Sequence, residues 1–362
     1  MSALQAELRA IISTSGPIPV SRYMALCLAH PEHGYYMNRD PIGRAGDFIT
    51  APEISQMFGE LLGLWAATVW QQMGSPPGAR LIELGPGRGA MMADALRAAR
   101  TLPAFCSAVS VHLVETSPAL ETRQRAALAA SGVPIAWHRS LTDVPAGPAI
   151  ILANEFFDAL PVHQAVRSAD GWHERLIGLD ERGALAFAAT PSPSPTIAAR
   201  IPRPLDAEAE PGAIFEWRCA DAVRALAART ADRGAALIID YGHAESGLGD
   251  TLQAVRGHAY ADVLAAPGEA DLTAHVDFAA LRSEAERAGA RTFGPITQGL
   301  FLRRLGIDIR AAALKSAAPA QAVAVETALA RLTASAPPGM GTLFKVLALC
   351  DSRLGPFPGF DP

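Results

Sequence analysis

The sequence predicts an α/β fold built on a mostly parallel sheet with additional segments attached. Three observations lead there. Short apolar runs recur along the chain, at Arg80-Leu81-Ile82-Glu83-Leu84, Ser110-Val111-His112-Leu113-Val114, Ala149-Ile150-Ile151-Leu152-Ala153 and Ala235-Ala236-Leu237-Ile238-Ile239. Stretches with helical periodicity separate most of them. The first run ends in Gly85-Pro86-Gly87-Arg88-Gly89 and passes at once into the helix-forming Ala90-Met91-Met92-Ala93-Asp94-Ala95-Leu96-Arg97. A strand, a tight glycine turn and a helix N-terminus place backbone close to a ligand, and first-turn amides favour an anionic group there.

The whole chain sets outer bounds. At 362 residues it has room for two domains, or for one α/β domain with large insertions. Half of it is hydrophobic, enough for a sizeable core, yet no apolar run is long enough to span a bilayer, so no membrane insertion is expected. The net charge is −5 with scattered basic residues, so no nucleic-acid footprint is expected. Lysine occurs only as Lys315 and Lys345, a compositional bias in favour of arginine. Cys27, Cys106, Cys219 and Cys350 show no C-x-x-C spacing, which points to a reducing compartment with neither a disulfide framework nor a zinc site. The first residues show neither a signal h-region nor an Arg/Ser-rich presequence, and a cytoplasmic location is expected.

The glycine turn narrows the ligand. Gly85-x-Gly87-x-x-Ala90 satisfies a loose dinucleotide fingerprint, whereas Glu83-x-Gly85-x-Gly87-x-Gly89 has the shape seen in S-adenosylmethionine (SAM) methyltransferases. Glu83 tilts the choice, because a carboxylate suits the cationic methionine amine or sulfonium of SAM and suits a pyrophosphate badly. Glu83, Gly85, Pro86, Gly87 and Gly89 are therefore the expected cradle. Glu115 ends the second apolar run, where an acid receives ribose hydroxyls; a solvated strand-end charge is the bland reading. Ser140 and Leu141 follow the short third strand, Pro134–His138, where an adenine edge would lie.

The remaining elements follow in order. Residues 3–13 and 20–29 read as helices, and 33–50 as a polar, glycine-rich loop or hairpin able to close over a site. Thr50-Ala51-Pro52-Glu53 has a capping-box pattern for a helix reaching about Met73. The fourth strand runs into Asn154-Glu155-Phe156-Phe157-Asp158-Ala159-Leu160-Pro161. Ligands of open α/β sheets sit at such carboxyl ends. Carboxylates there can clamp a guanidinium and aromatic faces can stack on it; the Asn with its aromatics can equally hold a planar amide or amine. Alternation over 162–189 predicts an antiparallel meander, 190–212 a proline-rich connector, and Glu216-Trp217 the approach to a helix from Cys219. Asp240 tips the fifth strand, facing the same cleft. Strands at 291–297 and 343–349 enclose alanine-rich helices near 299–314 and 318–335, read either as buried within the chain or as a partner or homodimer surface.

Assembled, these stretches resemble the family of the mitochondrial complex I assembly-factor methyltransferase, also called MidA. The resemblance covers nearly the whole chain. It rests on His33-Gly34-Tyr35-Tyr36, Gly46–Ile54, Glu83–Gly89, Asn154–Pro161 and Ile239-Asp240-Tyr241-Gly242. It implies a class I (Rossmann-like) methyltransferase fold with a seven-stranded sheet, SAM as cofactor, and symmetric dimethylation of arginine on a protein such as a respiratory complex I subunit. On that basis Glu155 and Asp158, supported by Asn154, are the candidate catalytic residues. The expected layout is an N-terminal extension over 1–78, a SAM-binding domain over 79–350 with insertions near 162–234 and 243–340, and a tail from 351. The lack of a recognisable presequence suggests a bacterial cytoplasmic relative. The rival readings are methylation of a side-chain amide or small-molecule nitrogen, a SAM-binding assembly chaperone and, last, an NAD-dependent oxidoreductase.

Overall fold

A computed structural model of the chain describes residues 2–38 and 50–360; the expected loop residues 39–49, Asp47 and Phe48 among them, lie outside these. Contacts divide the chain into two units. One comprises Met1–Phe48, Asp158–Cys219 and Glu245–Asp277, the other Ile49–Phe157, Ala220–Ala244 and Phe278–Pro362. The units follow contacts rather than chain order, so their limits differ from the expected boundaries near 78, 162, 234, 243, 340 and 350.

The second unit is organised by seven strands: β1 (Ala79–Leu84), β2 (Val109–Val114), β3 (Ile135–His138), β4 (Ala149–Asn154), β5 (Ala235–His243), β6 (Arg291–Thr297) and β7 (Phe344–Cys350). Their path is β3-β2-β1-β4-β5-β7-β6. Neighbours from β3 to β5 are parallel, while β7 runs antiparallel to both β5 and β6. Strand order reverses between β1 and β4, the switch point at which open α/β sheets bind ligands.

The strands read as continuous apolar runs because both faces are covered. Leu81, Val111, Leu113, Ile150, Leu152, Leu237 and Ile239 join Leu62, Trp65 and Phe105 in one core. Helix Gln56–Gln72 lies tightly against helix Ala90–Ala99, and Gly63 permits it: a Cβ there would sit 2.3 Å from the Ala95 carbonyl oxygen. The single helix expected from Thr50 to Met73 is instead a short turn, Ala51–Ile54, and the longer Gln56–Gln72. Ser55 is extended between them, and its hydroxyl accepts from the Met57 amide at 3.2 Å. Thr50 makes no side-chain cap, so the capping role passes to Ser55. Among the alanine-rich helices, Gly306 adopts a positive φ and separates Gln298–Arg304 from Ile307–Ala317.

The first unit holds the antiparallel meander, Val162–Ser168, Gly171–Leu179 and Leu185–Ala189. Ile214–Arg218 is a fourth strand of this sheet, paired with 162–166, and not a helix approach. Phe215 is buried and Glu216 beside it is half-buried and bonded to Gln164 and Thr251, and the helix begins later, at Asp221. Leu4, Leu8, Ile12, Tyr23, Met24 and Leu28, from the two N-terminal helices, pack with Val162, Ile177 and Leu272. Arg218 staples this unit: its guanidinium donates to the carbonyls of Asp158 (3.1 Å), Leu160 (3.1 Å), Ala274 (2.6 Å) and His275 (2.7 Å).

Candidate functional site

The turn after β1 is built from backbone that only glycine adopts freely. Gly85, Gly87 and Gly89 have φ of +60°, +53° and +83°. A Cβ on Gly85 would meet the Phe156 ring at 3.1 Å. Pro86 is buried beneath the turn, its carbonyl accepts from the Gly89 amide at 2.8 Å, and Gly89 occupies the N-cap of helix Ala90–Ala99.

Glu83 lies one residue before the end of β1 with 2 % of its surface exposed. Among the described residues its Oε2 finds no hydrogen-bond partner. Burial, with the like charge of Glu115 second, pushes its carboxyl up to about 8. A buried carboxylate in this state is costly unless a cation reaches it. The site therefore fits a ligand that brings positive charge to the glycine turn.

Glu115, 7 % exposed, follows β2. Its Oε1 accepts from the Ser117 amide at 2.7 Å and its Oε2 from the Gln124 amide nitrogen at 3.0 Å. Burial raises its carboxyl, and these hydrogen bonds oppose the rise. Ser140 caps the short 3-10 turn Leu141–Asp143 through its hydroxyl, which accepts from the Thr142 amide at 3.2 Å, and Leu141 is half-buried there.

Asn154 ends β4, and its Oδ1 is a second buried acceptor without a partner among the described residues. Its Nδ2 donates to Glu155 Oε1 at 3.3 Å, and the Ala51 amide donates to the same oxygen at 3.1 Å. Glu155 takes a φ of +49°, unusual for a residue with a Cβ, and its amide is bound to the Ile239 carbonyl at 2.9 Å. Asp240 is fully buried and serves the scaffold: its carboxylate accepts from the amides of Phe157 and Tyr241, both at 2.9 Å. Asp240 fastens the turn that carries Glu155. Asp158 belongs to the other unit, is 5 % exposed, and accepts from the Ala159 amide at 2.9 Å.

Within the second unit, then, Glu83, the glycine turn, Glu115, Asn154 and Glu155 stand at the carboxyl ends of β1, β2 and β4. β1 lies between β2 and β4, with Leu84 in register with both Val114 and Ala153. Sequence reasoning missed Gln124. Its side chain is fully buried, donates to the Gly87 carbonyl at 2.8 Å as well as to Glu115, and accepts from the Trp137 indole at 2.9 Å. A signal was present: Leu120, Gln124 and Leu128 share one buried helix stripe, in which a glutamine is out of character.

Residues 61–296 match the family profile of S-adenosyl-L-methionine-dependent methyltransferases. The protein arginine methyltransferase NDUFAF7 homolog of Drosophila melanogaster, a mitochondrial protein, is 41 % identical over 96 % of this chain and 84 % of its own length. The human mitochondrial protein arginine methyltransferase NDUFAF7 is 41 % identical over 83 % of this chain and 72 % of its own. A Burkholderia thailandensis methyltransferase-type protein, crystallised with S-adenosylhomocysteine (SAH), superposes with a TM-score of 0.88 at 32 % identity, covering 99 % of this chain and 94 % of that one. The mitochondrial designation of the relatives overturns the expected cytoplasmic location. Profile, relatives and an orphaned acid beside a glycine turn agree: the chain belongs to the family of SAM-dependent methyltransferases, has their class I fold, and uses SAM as its cofactor.

Proposed function

We propose that this enzyme methylates a guanidinium nitrogen of arginine in a partner protein, with a respiratory complex I subunit as the partner and the symmetric dimethyl form as the product. The names of the relatives support arginine as acceptor. The observation that carries the reading is Glu155, held in a left-handed conformation at the carboxyl end of β4, beside the cofactor turn of β1. Backbone strain of this kind persists only where surrounding contacts enforce it; here the Ile239 carbonyl holds the Glu155 amide, while the Ala51 amide and Asn154 hold its carboxylate.

In this reading the glycine turn with Glu83 holds the methionine end of the cofactor, Glu115 the ribose, and Ser140 and Leu141 the adenine edge. When bound, SAM supplies a methyl carbon whose bond to sulfur breaks as the acceptor nitrogen attacks, the electron pair staying on sulfur. Glu155 and Asp158, three residues apart in the chain, orient the guanidinium through charge-assisted bonds, with Asn154 Oδ1 free to accept an N–H. The proton displaced from the nitrogen passes to a carboxylate or to water after transfer, so no strong base is required. Positioning of this kind is worth up to ~7–11 kcal/mol of barrier.

The Asn154 carbonyl, without a partner among the described residues, also favours a second reading, with a side-chain amide or small-molecule nitrogen as acceptor. Mass spectrometry after incubation with SAM and isolated complex I subunits decides between them. A gain of 28 Da on arginine (~28, two methyl groups) supports the first reading, and methylated Gln, Asn or metabolite the second. The homodimer is likewise proposed, through the helices Ile307–Ala317 and Ala322–Thr333, where Ile309 and Val323 are exposed apolar residues.

A further inference from the structure

We propose that Gln124 is a positioning residue for cofactor binding: it locks the Glu115 carboxylate to the glycine turn, so that the ribose hydroxyls meet an acid already oriented. The proposal rests on the assignment of Glu115 to the ribose. Gln124 lies in helix Pro118–Leu128 and touches three segments that follow or belong to three different strands: Gly87 after β1, Glu115 after β2, and Trp137 within β3. Its amide nitrogen spends both protons, on the Gly87 carbonyl (2.8 Å) and Glu115 Oε2 (3.0 Å). Its carbonyl receives the Trp137 indole proton at 2.9 Å. Every strong donor is used, as a buried polar network requires.

The consequence falls on Glu115. The Ser117 amide binds Oε1 at 2.7 Å and Gln124 binds Oε2 at 3.0 Å, with the Thr116 amide a further donor, so both oxygens are held and the carboxylate plane is fixed from two sides. The carboxylate keeps lone-pair capacity for a ribose hydroxyl. The Arg125 guanidinium lies over the Trp137 ring, 3.9 Å from its centre. A leucine would fill the Leu120–Leu128 stripe as well as Gln124 does, but would take this partner from the half-buried Gly87 carbonyl and Trp137 N–H and from the buried Glu115 carboxylate. Packing alone does not call for an amide here; orientation of the acid does.

The test titrates the full chain calorimetrically with SAH and with its 2′,3′-dideoxy analogue, which lacks the ribose hydroxyls. Gln124→Met keeps length and bulk while removing the amide. It is expected to weaken SAH ~10-fold and the analogue less than ~2-fold. Trp137→Phe, which removes the donor to Gln124 while keeping an aromatic ring, is expected to act in the same sense by ~3-fold and carries the test if Gln124→Met does not fold. Equal weakening of both ligands, or unchanged SAH affinity, overturns the proposal. Glu115→Gln is the control. If it weakens both ligands equally, the ribose assignment fails and takes the proposal with it; if it discriminates where Gln124→Met does not, the brace alone is refuted.

Discussion

Ionisation of Glu83 should be coupled to cofactor binding. Burial and the neighbouring Glu115 push its carboxyl up to about 8. At pH 6.5 the free enzyme then carries a proton on Glu83 in most molecules. A cation seated against this acid restores the ionised form, so binding releases a proton from it. Isothermal titration with SAM at pH 6.5, in several buffers of different ionisation enthalpy, reads the proton release as the slope of apparent heat against buffer enthalpy. Affinity should rise with pH, up to ~10-fold per unit, until the carboxyl of the free enzyme is itself ionised. Glu83→Gln should abolish the slope. A wild-type slope near zero, or one unchanged in Glu83→Gln, would refute the pairing of Glu83 with the cofactor's positive charge. Stability of the free enzyme follows with opposite sign. The fold favours protonated Glu83, so the unfolded chain binds fewer protons between the ordinary carboxylate value and about 8. Stability contributed by this group is therefore full below that window and falls across it, by at most ~1.4 kcal/mol per pH unit.

Other substitutions separate the roles of the site. Glu155→Gln should abolish turnover while SAM affinity stays within a few-fold; comparable loss of SAM binding would reassign Glu155 to the cofactor. Gly85→Ala must hold a left-handed φ and press a methyl toward Phe156, and should cost ~1–2 kcal/mol in stability together with most cofactor affinity, read by thermal shift with and without SAH. Asp240→Asn turns one acceptor that serves the Phe157 or Tyr241 amide into a donor, so a loss of ~1–3 kcal/mol is expected by denaturant titration. An unchanged midpoint would remove Asp240 from the scaffold.

How much was legible beforehand depended on the range of the interaction involved. The strands of the central sheet announced themselves as apolar runs, because parallel strands covered on both faces need such residues whatever packs on them. The glycine turn was equally local: φ of +60° at Gly85 and +83° at Gly89 select glycine directly. Glu83, Glu115 and Glu155 could be picked out because strand ends place them where a ligand of this fold must lie. Ile214–Arg218 was misread because a single edge strand has too few residues to show its period, and its pairing with 162–166 joins residues about fifty positions apart. The break at Ser55 escaped for a similar reason: Thr50 and Ser55 carry the same capping chemistry, and only the backbone path selects between them.

The amino-acid order by itself determined the parallel sheet, the glycine turn, the family and the charge type of the cofactor, since each follows from residues adjacent in the chain or from strand-end placement. Tertiary structure alone decided that Glu83 is buried with no hydrogen-bond partner for Oε2 among the described residues, that Asp240 fastens the Glu155 turn, and that Gln124 ties the turn, the acid and Trp137 together. Those properties depend on solvent exclusion and on hydrogen bonds between distant residues, which no local pattern of side chains encodes.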